Sequence, residues 1–270
     1  MAADATVQSA LRVLTVIEAL NQHRVTSLEV LHGRTGLPKS TLIRLLETLI
    51  AAGYVVRVSR RDGYSLTDSV LLLSAGVRRR DVLVDIARPA LEAFTRKHKW
   101  QVSLATSERD SMLVRATTRD ISPFAREEVF LNRRVGMLRS AIGQAYFAFC
   151  SAGERRTILK LVRTAYPEQV ASVGGPKRIA AMVEKVRGDG YAAIVRPPAD
   201  PTRSIAVPVL EAGVPDRPLG AIVMFYYQSV MSEAEAVRKY LGPLRALAGQ
   251  IALGLDEARW SAAGKEGELS

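Results

Sequence analysis

Four polar side chains lie close together in the first third of the chain: Lys39, Ser40, Thr41 and Arg44. A guanidinium can donate two parallel hydrogen bonds to the edge of a guanine, and an ammonium binds a phosphate as a point charge. Hydroxyls bond either a base or a phosphate. A separation of three or four residues would bring these groups to one side of a helix. The pattern therefore predicts a surface that binds nucleic acid, with Arg44 on a base edge and Lys39 on a phosphate.

A second basic group, Arg57, Arg60 and Arg61, comes shortly after the first and is followed directly by Asp62-Gly63. Asp-Gly between two strand-like runs is typical of a β-hairpin. Arginines on such a hairpin would lie beside the DNA backbone or the minor groove. We expect them to add affinity and salt dependence more than sequence preference.

The elements that must position these side chains follow one another within 60 residues. Helices are predicted at 7–20, 28–35 and 38–52, and strands at 54–58 and 64–66. The first helix is expected to bury a stripe made of Val7, Ala10, Leu11, Leu14, Ile17 and Leu20. This order predicts a winged helix-turn-helix, whose second motif helix enters the major groove. The competing interpretation is a plain helical hairpin with a solvated basic face, or a module that docks proteins.

The composition is compatible with this prediction but does not decide it. The 270 residues carry a net charge of +11, which suits a polyanionic partner, although many basic proteins bind nothing acidic. A Lys-rich amphipathic helix for membrane surfaces and an apolar run long enough to span a bilayer are both missing from the sequence. The single cysteine, Cys150, excludes an intramolecular disulfide and a cysteine-based metal cluster. We expect a cytoplasmic protein with no membrane partner.

The remainder of the chain predicts a larger second domain. Helical patterns at 82–97, 140–150, 177–187 and 233–258 are mixed with strand-like runs at 101–106, 112–116, 191–195, 205–209 and 219–227. Segregated helices and strands favour an α+β fold with an antiparallel sheet. The predicted domains are a DNA-binding domain at 1–68, a linker helix at 69–81, the α+β domain at 82–260 and a flexible tail at 261–270.

An enzyme is not expected. The three histidines, His23, His32 and His98, stand in no motif with a serine or an acid. The sequence has no glycine-rich phosphate loop and no metal-ligand spacing, so no cofactor and no metal are predicted. Cys150 ends an apolar helical run and is expected to be a buried small side chain rather than a nucleophile.

Several motifs together resemble the IclR-type bacterial transcriptional regulators. They are 7–14, 35–41 with Arg44-Leu45-Leu46, Gly53-Tyr54, Tyr64-Ser65-Leu66, 140–145, 186–192 and 205–209. The likeness covers about residues 7 to 258. It implies a winged helix-turn-helix, a linker helix, a GAF-like effector domain, and homodimers or homotetramers on palindromic operators. The runs 118–124 and 145–150 are similar to the activators of phenylpropionate and related aromatic-acid degradation.

The resemblance also implies a pocket for a small organic acid near the start of the central helix. Amides at a helix N-terminus attract a carboxylate, but small residues there also let a helix pack on a sheet. Where family members often carry acids and a cysteine, this chain has Ile194-Val195-Arg196 and Ser204. Arg196 would pair with an acid, or would be an ordinary surface arginine. The candidate effector residues are Ala141, Ile142, Gly143, Arg196, Ser204 and Met224.

The predicted function is therefore a ligand-responsive DNA-binding regulator of a catabolic operon that senses a small organic acid, with aromatic acids as a candidate class. The alternative is a ligand-independent oligomeric DNA-binding protein whose second domain only assembles subunits.

Overall fold

The computed structural model describes residues 7–59, 63–73, 81–125, 131–194, 200–214 and 216–267. The chain divides into two compact units, Met1–Arg79 and Arg80–Ser270. The first unit contains α1 (Gln8–Leu20), α2 (Leu28–Thr35), α3 (Lys39–Ala51), β1 (Val55–Ser59), β2 (Gly63–Leu66) and α4 (Ser69–Leu72).

The turn between α2 and α3 follows from local chemistry. The Ser27 hydroxyl accepts a hydrogen bond from the Val30 amide at 3.4 Å and caps the start of α2. Gly36 ends α2 with φ of 68°, a left-handed conformation that glycine adopts without steric cost. Pro38 comes directly before α3, where a backbone N–H would have no partner within the helix, so its absence costs no hydrogen bond.

The core of the first unit is apolar, and α1 faces it differently from the prediction. Val16 and Leu20 are buried against α2 and α3. Val7, Leu11 and Leu14, predicted to point inward, are exposed by 64%, 45% and 55%. The prediction was wrong because α1 carries apolar residues on two sides, and periodicity alone does not say which side the neighbouring helices cover.

The hairpin is fixed to the loop before α2. Thr26 and Tyr64 exchange two backbone hydrogen bonds of 2.9 Å. Gly63 has φ of 109°, and a Cβ there would lie 2.2 Å from the Thr26 carbonyl oxygen. Only glycine fits this position, so the Asp-Gly signal marks a tertiary contact as well as a turn.

The segment predicted as a linker helix at 69–81 is described only in part. Residues 69–72 form α4, and residues 74–80 lie outside the described part of the chain. Asp81 belongs to the next element, since its carboxylate accepts the Val84 amide at 3.3 Å and caps α5.

The second unit is built on one antiparallel sheet. Its strands are β3 (Val102–Glu108), β4 (Ser111–Thr117), β5 (Arg134–Gly136), β6 (Ala192–Ala193), β7 (Thr202–Leu210) and β8 (Pro218–Tyr227). Their order is β5-β4-β3-β8-β7-β6, and every neighbouring pair is antiparallel. The helices are α5 (Val82–His98), α6 (Ala141–Phe149), α7 (Ala152–Ala165), α8 (Pro167–Val173), α9 (Pro176–Asp189) and α10 (Glu233–Gly267).

Both faces of this sheet are covered, by different helices. Side chains of α5 and α10 pack on one face together with Val207 and Met224. Side chains of α6, α7 and α9 pack on the other together with Ala206 and Phe225. Neighbouring strand residues therefore enter separate cores, as the two-residue period of a strand requires. The predicted α+β fold with an N-terminal helix-turn-helix and an antiparallel sheet is confirmed.

Several details of the second unit differ from the prediction, which also lacked strand β5. Helices α7 and α8 were not foreseen, although Ser151 and Glu154 carry the spacing of a capping box and the Ser151 hydroxyl accepts the Glu154 amide at 3.2 Å. Strand β6 has two residues rather than five. Helix α10 continues through 261–267 to Gly267, within the segment that was predicted as a flexible tail. Extending an existing helix needs no new nucleus, and this segment contains alanines and charged helix formers.

Candidate nucleic-acid interface and effector site

Helix α3 presents its polar side chains on the side opposite the core. Leu42, Leu46 and Leu49 are buried in the first unit and set the rotation of the helix. Ser40 and Arg44 are then exposed. Thr41 is half-buried at the flank of the same surface. The structure thus brings these side chains to one accessible face, with a guanidinium free to reach a base edge.

Lys39 has a partner that the sequence did not indicate. Its ammonium lies 2.6 Å from the carboxylate of Glu29, at the start of α2. This hydrogen bond, aided by a backbone amide, lowers the pKa of the Glu29 carboxyl. The sequence from 39 to 44 contains no acidic residue, but the fold brings Glu29 of α2 next to Lys39. A phosphate contact by Lys39 would require this pair to open or to be shared, whereas Arg44 has no ion pair among the residues that the structure describes.

Of the three arginines predicted on the hairpin, the structure describes the position of Arg57. Arg57 is exposed on β1, opposite Tyr64 on β2, and its guanidinium carbon lies 5.7 Å from the centre of the Tyr64 ring. The ring holds the guanidinium on the hairpin surface through a cation–π contact. Arg60 and Arg61 lie outside the described residues.

The start of α6 is organised chiefly by contacts within the protein. The Ser140 hydroxyl donates to the Gly136 carbonyl at 2.7 Å and accepts the Gly143 amide at 3.0 Å. A Cβ on Gly143 would lie 2.3 Å from the Met137 carbonyl oxygen. The close approach that this glycine permits is therefore to the protein backbone. Sequence reasoning did not place Ser140 among the site residues, although a serine before an apolar helix is a capping signal.

The other candidate effector residues do not share one face of the sheet. Ala141 and Ile142 are each 3% exposed and pack in the core beneath α6. Ser204 is buried opposite Phe225, which belongs to that same core. Met224 packs in the opposite core with α5 and α10, so the structure does not bring it to the same face of the sheet as Ser204 and α6. The cause is strand alternation, which sends Met224 and Phe225 to opposite faces. Arg196 lies outside the described residues.

Two further features bear on the class of site. Within the described ranges, no three histidine, cysteine or acidic side chains are grouped so that they could hold a metal ion. No described helix combines the length and the apolar character that crossing a bilayer requires.

Comparison with known families gives matches in both units. Residues 9–59 match the model of the IclR helix-turn-helix domain, and residues 75–253 match the model of the bacterial transcriptional regulator IclR C-terminal domain. The chain belongs to the IclR family of transcriptional regulators. IclR-family proteins act by binding DNA and are not enzymes, so this chain is a DNA-binding regulator.

Named IclR-family relatives extend over most of the chain. The transcriptional regulator KdgR of Dickeya chrysanthemi is 28% identical over 208 residues, which cover 76% of this chain and 67% of KdgR. The Pca regulon regulatory protein of Pseudomonas putida is 26% identical, over 74% of this chain and 68% of that protein.

Solved structures support the IclR fold independently. A putative transcriptional regulator from Rhodococcus sp. RHA1 superposes with a TM-score of 0.64 at 22% identity, covering 94% of this chain and all of that one. The IclR protein of Thermotoga maritima also gives 0.64, at 18% identity, covering 92% of this chain and 98% of its own.

Proposed function

We propose that this IclR-family regulator binds operator DNA through α3 and the β1–β2 hairpin and controls a catabolic operon in response to a small organic acid. The observation that carries the DNA part is the outward face of α3, where Arg44 is exposed and the leucine stripe fixes its direction. Arg57, with Arg60 and Arg61, is proposed to contact the backbone beside the groove. A cytoplasmic location is part of the same proposal, since the DNA target lies there.

The DNA assignment is tested with a duplex selected by the wild-type protein from a randomised pool. Arg44→Ala is expected to weaken binding to the selected duplex by about 1–3 kcal/mol while affecting a random duplex much less. Arg238→Ala, an exposed arginine of α10, removes the same charge from the second unit and is the matched control. Equal binding of the selected duplex by Arg44→Ala and the control would refute the assignment of α3 as the recognition helix.

The sensing part of the proposal places a carboxylate at the N-terminus of α6. The amides of Ala141 and Ile142 lie in the first turn, where a helix attracts an anion, while the Gly143 amide is already bonded to Ser140. Ser204 lies on the same face of the sheet, and Arg196 is proposed as the pairing cation. Phe225 on that face makes aromatic acids the first class to test. The relative from Pseudomonas putida is named as the regulatory protein of a regulon, which supports an operon as the target of this regulator.

A thermal-shift panel of aromatic and aliphatic acids tests this part. A rise in melting temperature with one class, reduced in Arg196→Ala, supports an effector site. Silence across the panel, with DNA binding intact, favours a second unit that only assembles subunits. The hydrogen bonds of the Ser140 hydroxyl with the Gly136 carbonyl and the Gly143 amide favour this second function, subunit assembly without an effector, because they occupy groups at the start of α6.

A homodimer or a homotetramer is also proposed. Leu11 and Leu14 of α1 are exposed, as are Leu71, Leu72 and Leu73 at α4, by 68%, 72% and 58%. Three consecutive exposed leucines at 71–73 support a surface that is covered in an assembly, because large apolar side chains exposed side by side mark interaction sites. Two-fold pairing would match the half-sites of a palindromic operator. Sedimentation equilibrium of the full chain measures the oligomeric state, and a monomer at micromolar concentration would contradict the proposal.

A further inference from the structure

Helices α1 and α3 border an open cleft of about 590 Å³ on the surface of the first unit. The polar side chains that line the cleft are Ser9 and Arg12 from α1 and Thr41, Arg44, Glu47 and Thr48 from α3. The polar motifs of the DNA-binding domain lie on α3 and the hairpin, and the sequence alone indicates only a supporting role for α1. The cleft brings a residue of α1, Arg12, to the same opening as Arg44.

The cleft follows from a change of residue type along α1. Val13, Val16 and Leu20 form the stripe that packs toward α2 and α3. One turn earlier the same side of the helix carries Ser9 and Arg12, both of which are exposed. A hydroxyl and a guanidinium do not replace the apolar packing, because each keeps its polar atoms in water. The N-terminal half of α1 is thus left open beside α3.

The charge of the cleft suits an anion. Neither Arg12 nor Arg44 forms an ion pair within the described part of the chain. Against these two cations, Glu47 is the single acid among the residues that line the cleft. The hydroxyls of Ser9 and Thr41 add donors that bond phosphate oxygens readily. The Arg12 guanidinium and the neighbouring hydroxyls supply the positive charge and the hydrogen-bond donors that a phosphodiester requires, which leaves Arg44 for a base edge.

The position of the cleft fits one strand of a duplex. An α-helix is about 10–12 Å across with its side chains, and the major groove is about 12 Å wide. A helix in the groove therefore has a phosphate backbone along each flank. The cleft is the opening between the α3 flank that carries Thr41, Arg44 and Thr48 and the neighbouring helix α1.

We propose that the cleft between α1 and α3 receives the phosphate backbone of operator DNA, with Arg12 as its phosphate-binding residue. The inference rests on the proposed role of α3 as recognition helix. Arg12 then anchors one flank of α3 and sets how deeply Arg44 enters the groove. Because it contacts a phosphate, it strengthens binding to every sequence and adds little discrimination.

The test measures binding of the full-length protein to the selected duplex and to a random duplex across a range of salt concentrations. Arg12→Ala is expected to weaken binding to both duplexes by the same factor, about tenfold. It should also reduce the slope of log K against log salt by about 1. Arg12→Lys keeps the charge and should retain the slope. Arg238→Ala, which removes the same charge from α10, should leave both quantities unchanged.

A second measurement locates the contact on the DNA. Single methylphosphonate substitutions in the selected duplex remove one phosphate charge at a time. Wild type should lose affinity at the position that Arg12 contacts, and Arg12→Ala should show no further loss there. Circular dichroism checks that the exposed substitution leaves the fold intact.

The outcomes distinguish the phosphate contact in the cleft from the assignment of α3 as the recognition helix. If Arg12→Ala binds like Arg238→Ala while Arg44→Ala loses its sequence preference, the cleft does not contact DNA and the inference is overturned. If Arg44→Ala also binds normally, the recognition helix itself has been misassigned. If Arg12→Ala weakens only the selected duplex, Arg12 contacts a base and the phosphate role is wrong.

Discussion

Replacing Gly143 with alanine tests whether the start of α6 is a packing contact. A Cβ at this position would lie 2.3 Å from the Met137 carbonyl oxygen and 2.7 Å from the Gly136 carbonyl oxygen. Both are backbone atoms, so no side-chain rotation relieves the overlap. The helix is also held by the Ser140 hydroxyl, which bonds the Gly136 carbonyl and the Gly143 amide. The helix or the strand end must therefore move.

The expected loss of stability follows from two opposing effects. Overpacking of a well-packed core costs about 1–3 kcal/mol, and an overlap with backbone atoms belongs at the upper end of that range. Alanine is about 1 kcal/mol better than glycine inside a helix. The net expectation for Gly143→Ala is a destabilisation of about 2 kcal/mol. For a domain of this size, that lowers the melting temperature by roughly 4–8 °C.

Gly188→Ala is the matched control. Gly188 lies within α9 of the same unit, and a Cβ there would meet nothing within 4 Å. This variant is expected to be as stable as wild type or more stable by up to about 1 kcal/mol, because only the helix-propensity effect remains.

Urea unfolding followed by tryptophan fluorescence reports on the second unit. Both tryptophans, Trp100 and Trp260, belong to it, and Trp100 is buried in the core with 4% exposure. Gly143→Ala should unfold at lower urea than wild type and Gly188→Ala at equal or higher urea. If the two variants unfold at the same urea concentration, the close packing of α6 on the strand end is refuted.

Three further outcomes are expected. Burial raises the pKa of the Cys150 thiol to about 11, and the side chain is fully buried. A thiol reagent at pH 8 should therefore label Cys150 only after unfolding. Rapid labelling of the folded protein would contradict this expectation. Tyr146→Phe removes the hydrogen bond of 2.5 Å to Glu154 that joins α6 to α7, and urea unfolding should show a loss of about 1–2 kcal/mol. Glu29→Gln releases Lys39 from its ion pair, and titration with a random duplex should therefore show tighter binding. Weaker binding would mean that the pair positions Lys39 for DNA.

Most of the fold was predictable where one local signal dominates. The N-cap Ser27 and the left-handed Gly36 bound α2, and the leucines of α3 leave little choice about which side is buried. Strands β7 and β8 were recognised from runs of apolar residues with strand propensity. Their alternation into two separate cores was not, because a run that is apolar at every position does not mark its two faces.

The candidate sites divide in the same way. The polar face of α3 was predicted from spacing alone, since the helical period carries Ser40 and Arg44 to one side once the buried leucines are known. The ion pair of Lys39 with Glu29 joins residues of two helices, and no local sequence pattern indicates it. Met224 was grouped with the residues of α6 because its strand was expected to face that helix, yet its side chain enters the core on the opposite face of the sheet.

By itself the sequence determined the elements whose signals are local: the caps and the glycine turn of the helix-turn-helix, the leucine stripe of α3 and the Asp-Gly hairpin. Only the tertiary structure decided which side of α1 is buried, which core receives Met224, and that Gly143 approaches a backbone. Those outcomes depend on which surfaces meet across long separations along the chain. A helical or strand period defines the faces of an element, but the neighbouring elements determine which of them is covered.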